Sequence, residues 1–85
     1  MPASVFTASY GEFLKALREA RTQMGVRQID LAARIGKPQS FVSKVEKGER
    51  RLDVVELIAI LCALGISPAE FVARLDGRMP SDLVI

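Results

Sequence analysis

The sequence predicts an all-α domain of five short helices. Three observations carry that reading. Apolar residues recur at helical spacing in five stretches. Each stretch is bounded by capping residues, Gly or Pro. No segment shows the alternation of a half-buried strand. The chain of 85 residues suits one domain with a limited core.

The first stretch covers residues 9–24. Ser9 and Glu12 have capping-box spacing, and Tyr10, Phe13, Leu14, Leu17 and Met24 follow the helical period. Gly25 suits the left-handed position that ends a helix. The second stretch runs from Gln28 to Ile35, with Leu31, Ala32 and Ile35 on one stripe and Gly36 as its stop. Lys37-Pro38 forms the turn, because Pro cannot continue a hydrogen-bonded interior. The third runs from Gln39 to Glu46, with Phe41 or Val42 and Val45 inward, and Gly48 closes it.

The fourth begins at Asp53, which pairs with Glu56 in a second capping box. Val54, Val55, Leu57, Ile58, Ile60, Leu61 and Leu64 make it apolar nearly all round, so it is central to a core or partly faces a partner. Residues 57–64 alone could be a buried strand, but the caps, the Ala content and the flanking helices favour a helix. Gly65 ends it. The fifth opens on Ser67-Pro68-Ala69-Glu70, a cap with Pro at the first helical position and Glu closing the box. Phe71, Val72 and Leu75 are expected inward, and Asp76-Gly77 ends it. Residues 1–8 read as a flexible lead, 9–77 as the domain and 78–85 as a tail.

A composition of 49% hydrophobic and 26% charged residues is that of a globular chain. The single cysteine, Cys62, lies in an apolar run and is expected to be a buried thiol. With no internal disulfide to make, it fits a reducing cytoplasm. There is no 18-residue apolar stretch, so no membrane span is expected. Residues 1–8 have no basic region ahead of an apolar one and do not read as a secretory signal.

The net charge of +2 is unevenly spread. Residues 27–51 hold seven basic residues and three acidic ones, a net +4, against −2 for the rest. Such a window suits a polyanion-binding face. It also contains the geometry of a helix-turn-helix, two helices of about eight residues joined by a three-residue turn with Gly first. Their steep crossing needs a small residue at closest approach, which is Ala32. The turn needs a positive φ, which Gly36 adopts without steric cost. The second helix needs an apolar anchor, which is Val42.

These residues resemble the Cro and lambda-repressor-like helix-turn-helix family, also called the XRE type. The matching segments are residues 28–36 (QIDLAARIG) and 39–50 (QSFVSKVEKGER). Residues 63–71 (ALGISPAEF) also resemble the family's last two helices, so the likeness spans roughly residues 10–75. It implies a compact five-helix lambda-repressor-like domain that binds double-stranded DNA, as a transcriptional regulator of prokaryotic or phage type. Gln39, Ser40, Ser43 and Lys44 would read base edges, Gln39 through the bidentate pairing that glutamine makes with adenine. Arg27, Gln28, Lys37, Lys47, Arg50 and Arg51 would hold phosphates. Arg21 would pair with Glu46 as a structural ion pair. Two positions depart from the family pattern: Lys37 stands where an apolar residue is usual, and Arg27 where Ser or Thr often caps the helix.

Enzymatic chemistry is not expected. There is no His, no Cys/His cluster for a metal, no Gly-rich phosphate loop and no carboxylate pair fixed by spacing. No cofactor is implied. The apolar tail, with the fourth and fifth helices, is expected to form a homodimer that binds a palindromic operator and represses transcription. The alternative reading is an antitoxin or adaptor of the same fold whose main partner is a toxin or other protein.

Overall fold

A computed structural model of the protein describes residues 7–83. Five helices form: α1 (Ala8–Gln23), α2 (Gln28–Ile35), α3 (Gln39–Glu46), α4 (Val54–Leu64) and α5 (Pro68–Asp76). Among the described residues there is no strand, and no single helix is long and apolar enough to cross a membrane.

Local chemistry accounts for most helix ends. Asp53 Oδ1 accepts from the Glu56 amide at 2.7 Å, and Glu56 Oε1 accepts from the Asp53 amide at 3.0 Å, which starts α4. Ser67 Oγ accepts from the Glu70 amide at 3.3 Å, with Pro68 at the first helical position of α5. The start of α1 differs from the expectation. Thr7, not Ser9, is the cap, and its hydroxyl accepts from the Tyr10 amide at 3.2 Å. Ser9 is a helical residue instead. Two hydroxyls two residues apart compete for the same role, and the earlier one wins by adding helical hydrogen bonds. Of the expected flexible lead, Thr7 and Ala8 belong to this helix start, and the remainder lies outside the described residues.

The core gathers one stripe from every helix: Leu17, then Leu31 and Ala32, then Val42 and Val45, then Ile60, Leu61 and Leu64, and Phe71. Leu61 is completely buried. α2 packs on both α3 and α4, α1 packs on α3 and α5, and α4 packs on α5. At the end of α1 opposite its C-terminal turn, Phe13 meets Phe71 edge to face at 6.3 Å, which ties α1 to α5.

The turn between α2 and α3 depends on Gly36, at φ 70°. The Lys37 amide reaches back to the Ala32 carbonyl at 2.9 Å, which closes α2 and aims the chain into α3. Ala32, almost fully buried, lets the two helices approach.

Three expectations of burial fail. Cys62 is exposed, because α4 turns residues 54, 55, 58, 59 and 62 away from the core. Val72 is half exposed, since α5 is covered only along the line of Phe71 and Leu75. Met24, expected in the stripe of α1, is likewise half exposed beside the groove between α1 and α5.

A Cβ built on Gly36 would meet nothing within 4 Å, so the positive φ is the only obstacle to a side chain there. Gly36→Ala is therefore expected to lower stability by about 1–2 kcal/mol. Urea unfolding measures this, and an unchanged midpoint would mean that the turn does not need the left-handed conformation.

Candidate nucleic-acid interface

The exposed edge of α3 carries Gln39, Ser40 and Lys44, with Ser43 partly covered. What holds this edge begins at Arg21, which pairs with Glu46 across 25 residues of chain. Arg21, in the last turn of α1, donates from Nε to Glu46 Oε2 at 2.6 Å and from Nη2 to Glu46 Oε1 at 3.0 Å. Arg21 Nη1 donates to the Val26 carbonyl at 2.8 Å. The two side chains are 9% and 7% exposed, so both charges are buried and each needs the other. Glu46 Oε1 also accepts from Gln28 Nε2 at 2.9 Å. Gln28 Oε1 in turn accepts from Gln39 Nε2 at 2.8 Å.

This relay has a fixed polarity. An ionised carboxylate only accepts hydrogen bonds, so Gln28 presents its NH2 to Glu46. Its carbonyl oxygen then faces Gln39, which must answer with its own NH2. Gln39 keeps a second N–H and its carbonyl oxygen for a ligand. One donor beside one acceptor is the pattern that adenine N7 and N6 complement in the major groove.

The basic residues divide into two groups. Lys37, Lys44 and Lys47 are exposed around α3, and Lys37 Nζ lies 5.5 Å from the centre of the Phe41 ring. The arginines are engaged within the chain. Arg27 makes a two-pronged pair with Asp30 at 3.0 and 3.1 Å. Arg34 turns away from α3 and donates to the Ala63 carbonyl at 3.0 Å, at the C-terminal end of α4. Arg50 grips Glu56 at 2.8 and 3.0 Å and lies over Phe41, 4.7 Å from the ring centre. Arg51 lies 4.1 Å from the centre of the Tyr10 ring.

These pairs hold two carboxyls below the usual carboxylate range. For Asp30 the main cause is the hydrogen bond from the Arg27 side chain, followed by the Arg27 amide. For Glu56 it is the Arg50 guanidinium, followed by the Asp53 amide. Both lowered values mean stability that is present above the unfolded-state pKa and lost as pH falls through the folded one.

Reading along the sequence did not find the Arg50–Glu56 pair, the Arg34 contact or the bond from Gln28 to Glu46. None has a periodic signature, since their separations of 6, 29 and 18 residues depend on how helices cross. Asp30 takes over part of the missing cap of α2 by accepting from the Arg27 amide at 3.1 Å. A carboxylate at the third helical position was the available signal for it.

A family model described as helix-turn-helix matches residues 17–71. An HTH-type transcriptional regulator of Sinorhizobium fredii, y4dJ, is 36% identical over 56 residues, which span 66% of this chain and 73% of that protein. Among solved structures, an XRE-family like protein from Pseudomonas syringae pv. tomato superposes with a TM-score of 0.80 at 45% identity, covering 86% of this chain and 89% of that one. This chain belongs to the XRE-type helix-turn-helix family. The clp gene regulator ClgR from C. glutamicum is also similar, at 26% identity with a TM-score of 0.72, over 85% of this chain and 92% of that one. As an XRE-type protein it is a DNA-binding transcriptional regulator with an all-α, lambda-repressor-like domain.

In this XRE-type domain, removing one buried charge leaves the other without a counter-ion. Arg21→Met is expected to cost about 3–5 kcal/mol in folding stability. Thermal and urea unfolding measure the loss. A cost under about 1 kcal/mol would mean the pair behaves like an exposed one.

Proposed function

We propose that the protein represses transcription by binding a palindromic operator as a homodimer, with α3 in the major groove. Gln39, Ser40, Ser43 and Lys44 read bases. Gln28, Lys37 and Lys47 hold phosphates, with Arg27 and Arg51 at the margins of the contact. The observation that carries this reading is the relay Arg21–Glu46–Gln28–Gln39. It fixes the orientation of an exposed amide on the one helix edge that lysines surround. A preoriented reader loses little side-chain freedom on binding. Regulation would take place in the cytoplasm, on the nucleoid, by occlusion of polymerase.

The homodimer is supported by the outer face of α4. Val54, Val55 and Ile58 are 70%, 75% and 42% exposed and lie side by side, and Leu83 adds a further exposed apolar residue. A patch of this kind on a small domain marks an interaction surface. A two-fold contact buries the same patch on both copies. Two reading helices about 34–36 Å apart would then meet successive major grooves. Val55→Glu is expected to shift the sedimenting mass from dimer to monomer and to weaken operator binding. A parent protein that sediments as a monomer on operator-free solution and on DNA would remove the dimer.

Selection from random duplexes supplies the operator, and a palindrome is the expected outcome. Gln39→Ala should then cost about 1–3 kcal/mol on the selected site and little on random DNA. Lys47→Ala should weaken both and lower the salt slope by about 0.9. Equal losses on both duplexes for Gln39→Ala would end its role as a base reader. A reporter behind the selected site is expected to fall when the protein is made, and a rise would make it an activator.

A further inference from the structure

Arg50 stands in the basic window, and by position it is a phosphate ligand. Its surroundings point elsewhere. We propose that Arg50 is a positioning residue that clamps the reading helix to α4 through Phe41 and Glu56, and that this clamp sets DNA specificity without touching DNA. The proposal rests on the reading of α3 as the base-reading helix.

The helix packing leaves a task for such a clamp. α3 packs on α2 and α1, whereas α4 packs on α2 and α5. Arg50 spans from one pair to the other. On the α3 side its guanidinium lies over Phe41, which sits between Ser40 and the buried Val42. On the α4 side Nη1 and Nη2 donate to Glu56 Oε1 and Oε2. Nη1 donates also to the Arg51 carbonyl at 2.6 Å, which holds the intervening loop. Glu56 is itself anchored at the start of α4 by the Asp53 amide.

This arrangement controls the rotation of α3 about its axis. Val42 and Val45 anchor the inner side, and the Arg21–Glu46 pair holds the C-terminal end. Phe41 is the lateral stop. Any roll of α3 that moves Phe41 moves Ser40, Ser43 and Lys44 by the same angle, because a helix turns as a unit. The Phe41 ring also bears Lys37 on it, so one ring locates a phosphate candidate as well.

The charges argue against a phosphate role. The bidentate contact pairs Arg50 with a full negative charge, so the pair presents no net charge to DNA. Capture of Arg50 by a phosphate would strip Glu56, a member of the α4 capping box with Asp53, of its counter-ion. The two roles therefore predict opposite signs for Glu56→Gln. This change removes a negative charge near the DNA face and releases a cation. A phosphate ligand would bind better for it. A clamp would read worse.

The experiment measures binding to the selected operator and to a random duplex across a salt series, for the full chain and for Glu56→Gln, Arg50→Lys and Arg50→Ala. Gln39→Ala serves as the control for base reading, and circular dichroism confirms that each variant is folded at the assay temperature. Glu56→Gln and Arg50→Lys are expected to lose about two- to thirty-fold on the operator, with random-duplex binding not weakened and the salt slope unchanged. Arg50→Lys keeps the charge, so it carries the test alone if Glu56→Gln unfolds. Tighter or equal operator binding by Glu56→Gln would overturn the clamp. So would parent-like binding by Arg50→Lys combined with a slope lowered by about 0.9 in Arg50→Ala. If Gln39→Ala shows no preference for the operator loss, the base-reading role beneath the clamp fails, which is a separate result from the first two.

Discussion

Burying Arg21 against Glu46 obliges the surrounding chain to be in place before either charge is satisfied. Two ions removed from water are tolerated only where geometry and further hydrogen bonds make up the lost hydration. Here the carboxylate takes two prongs of the guanidinium, the Val26 carbonyl accepts from a third, and Gln28 donates to the carboxylate. Those partners come from α1, the loop after it, α2 and α3. The ion pair thus joins four segments whose apolar contacts alone would allow small slides. It also imposes the direction of the amides beyond it, so a structural charge pair reaches the exposed edge of α3 through Gln28 and Gln39.

The contrast between the arginines and lysines follows from their chemistry. Arg21, Arg27, Arg34, Arg50, Arg51 and Arg78 all have partners within the chain, and Arg78 donates to Glu19 at 2.6 Å. A planar guanidinium matches a carboxylate with two bonds and stacks on aromatic rings. A lysine ammonium gains less from such sites and stays hydrated, available to a phosphate. Within residues 27–51 the exposed positive charge that no pair engages is therefore that of Lys37, Lys44 and Lys47. The arginines there build the platform on which the lysines stand.

The fourth helix shows where periodicity runs out. A helix apolar nearly all round gives no rule for which side faces the core. Packing against α2 and α5 chose the side of Ile60, Leu61 and Leu64, and left Val54, Val55, Ile58 and Cys62 outside. The misplacement of Cys62 has this cause, since an apolar residue can be assigned to a face only when a polar face opposes it; Val72 lies on α5, where cover reaches only the line of Phe71 and Leu75. At Thr7 and Ser9 the failure is smaller and local. Two capping hydroxyls lay close together, and the sum of hydrogen bonds chose between them.

What the sequence determined by itself is everything settled within about four residues along the chain. The two later helix starts, the left-handed turn at Gly36, the small Ala32 at the crossing and the bounds of α2 and α3 all belong to it, because caps, turns and helical periods act over that range. The family resemblance extended this to Gln28, Gln39, Arg21 and Glu46, whose separations local chemistry cannot connect. The tertiary structure alone decided which charges meet across 6, 18 and 29 residues, and which face of α4 stays bare. Those choices depend on helix crossing angles, and a crossing angle is a property of the whole packed core rather than of any segment in it.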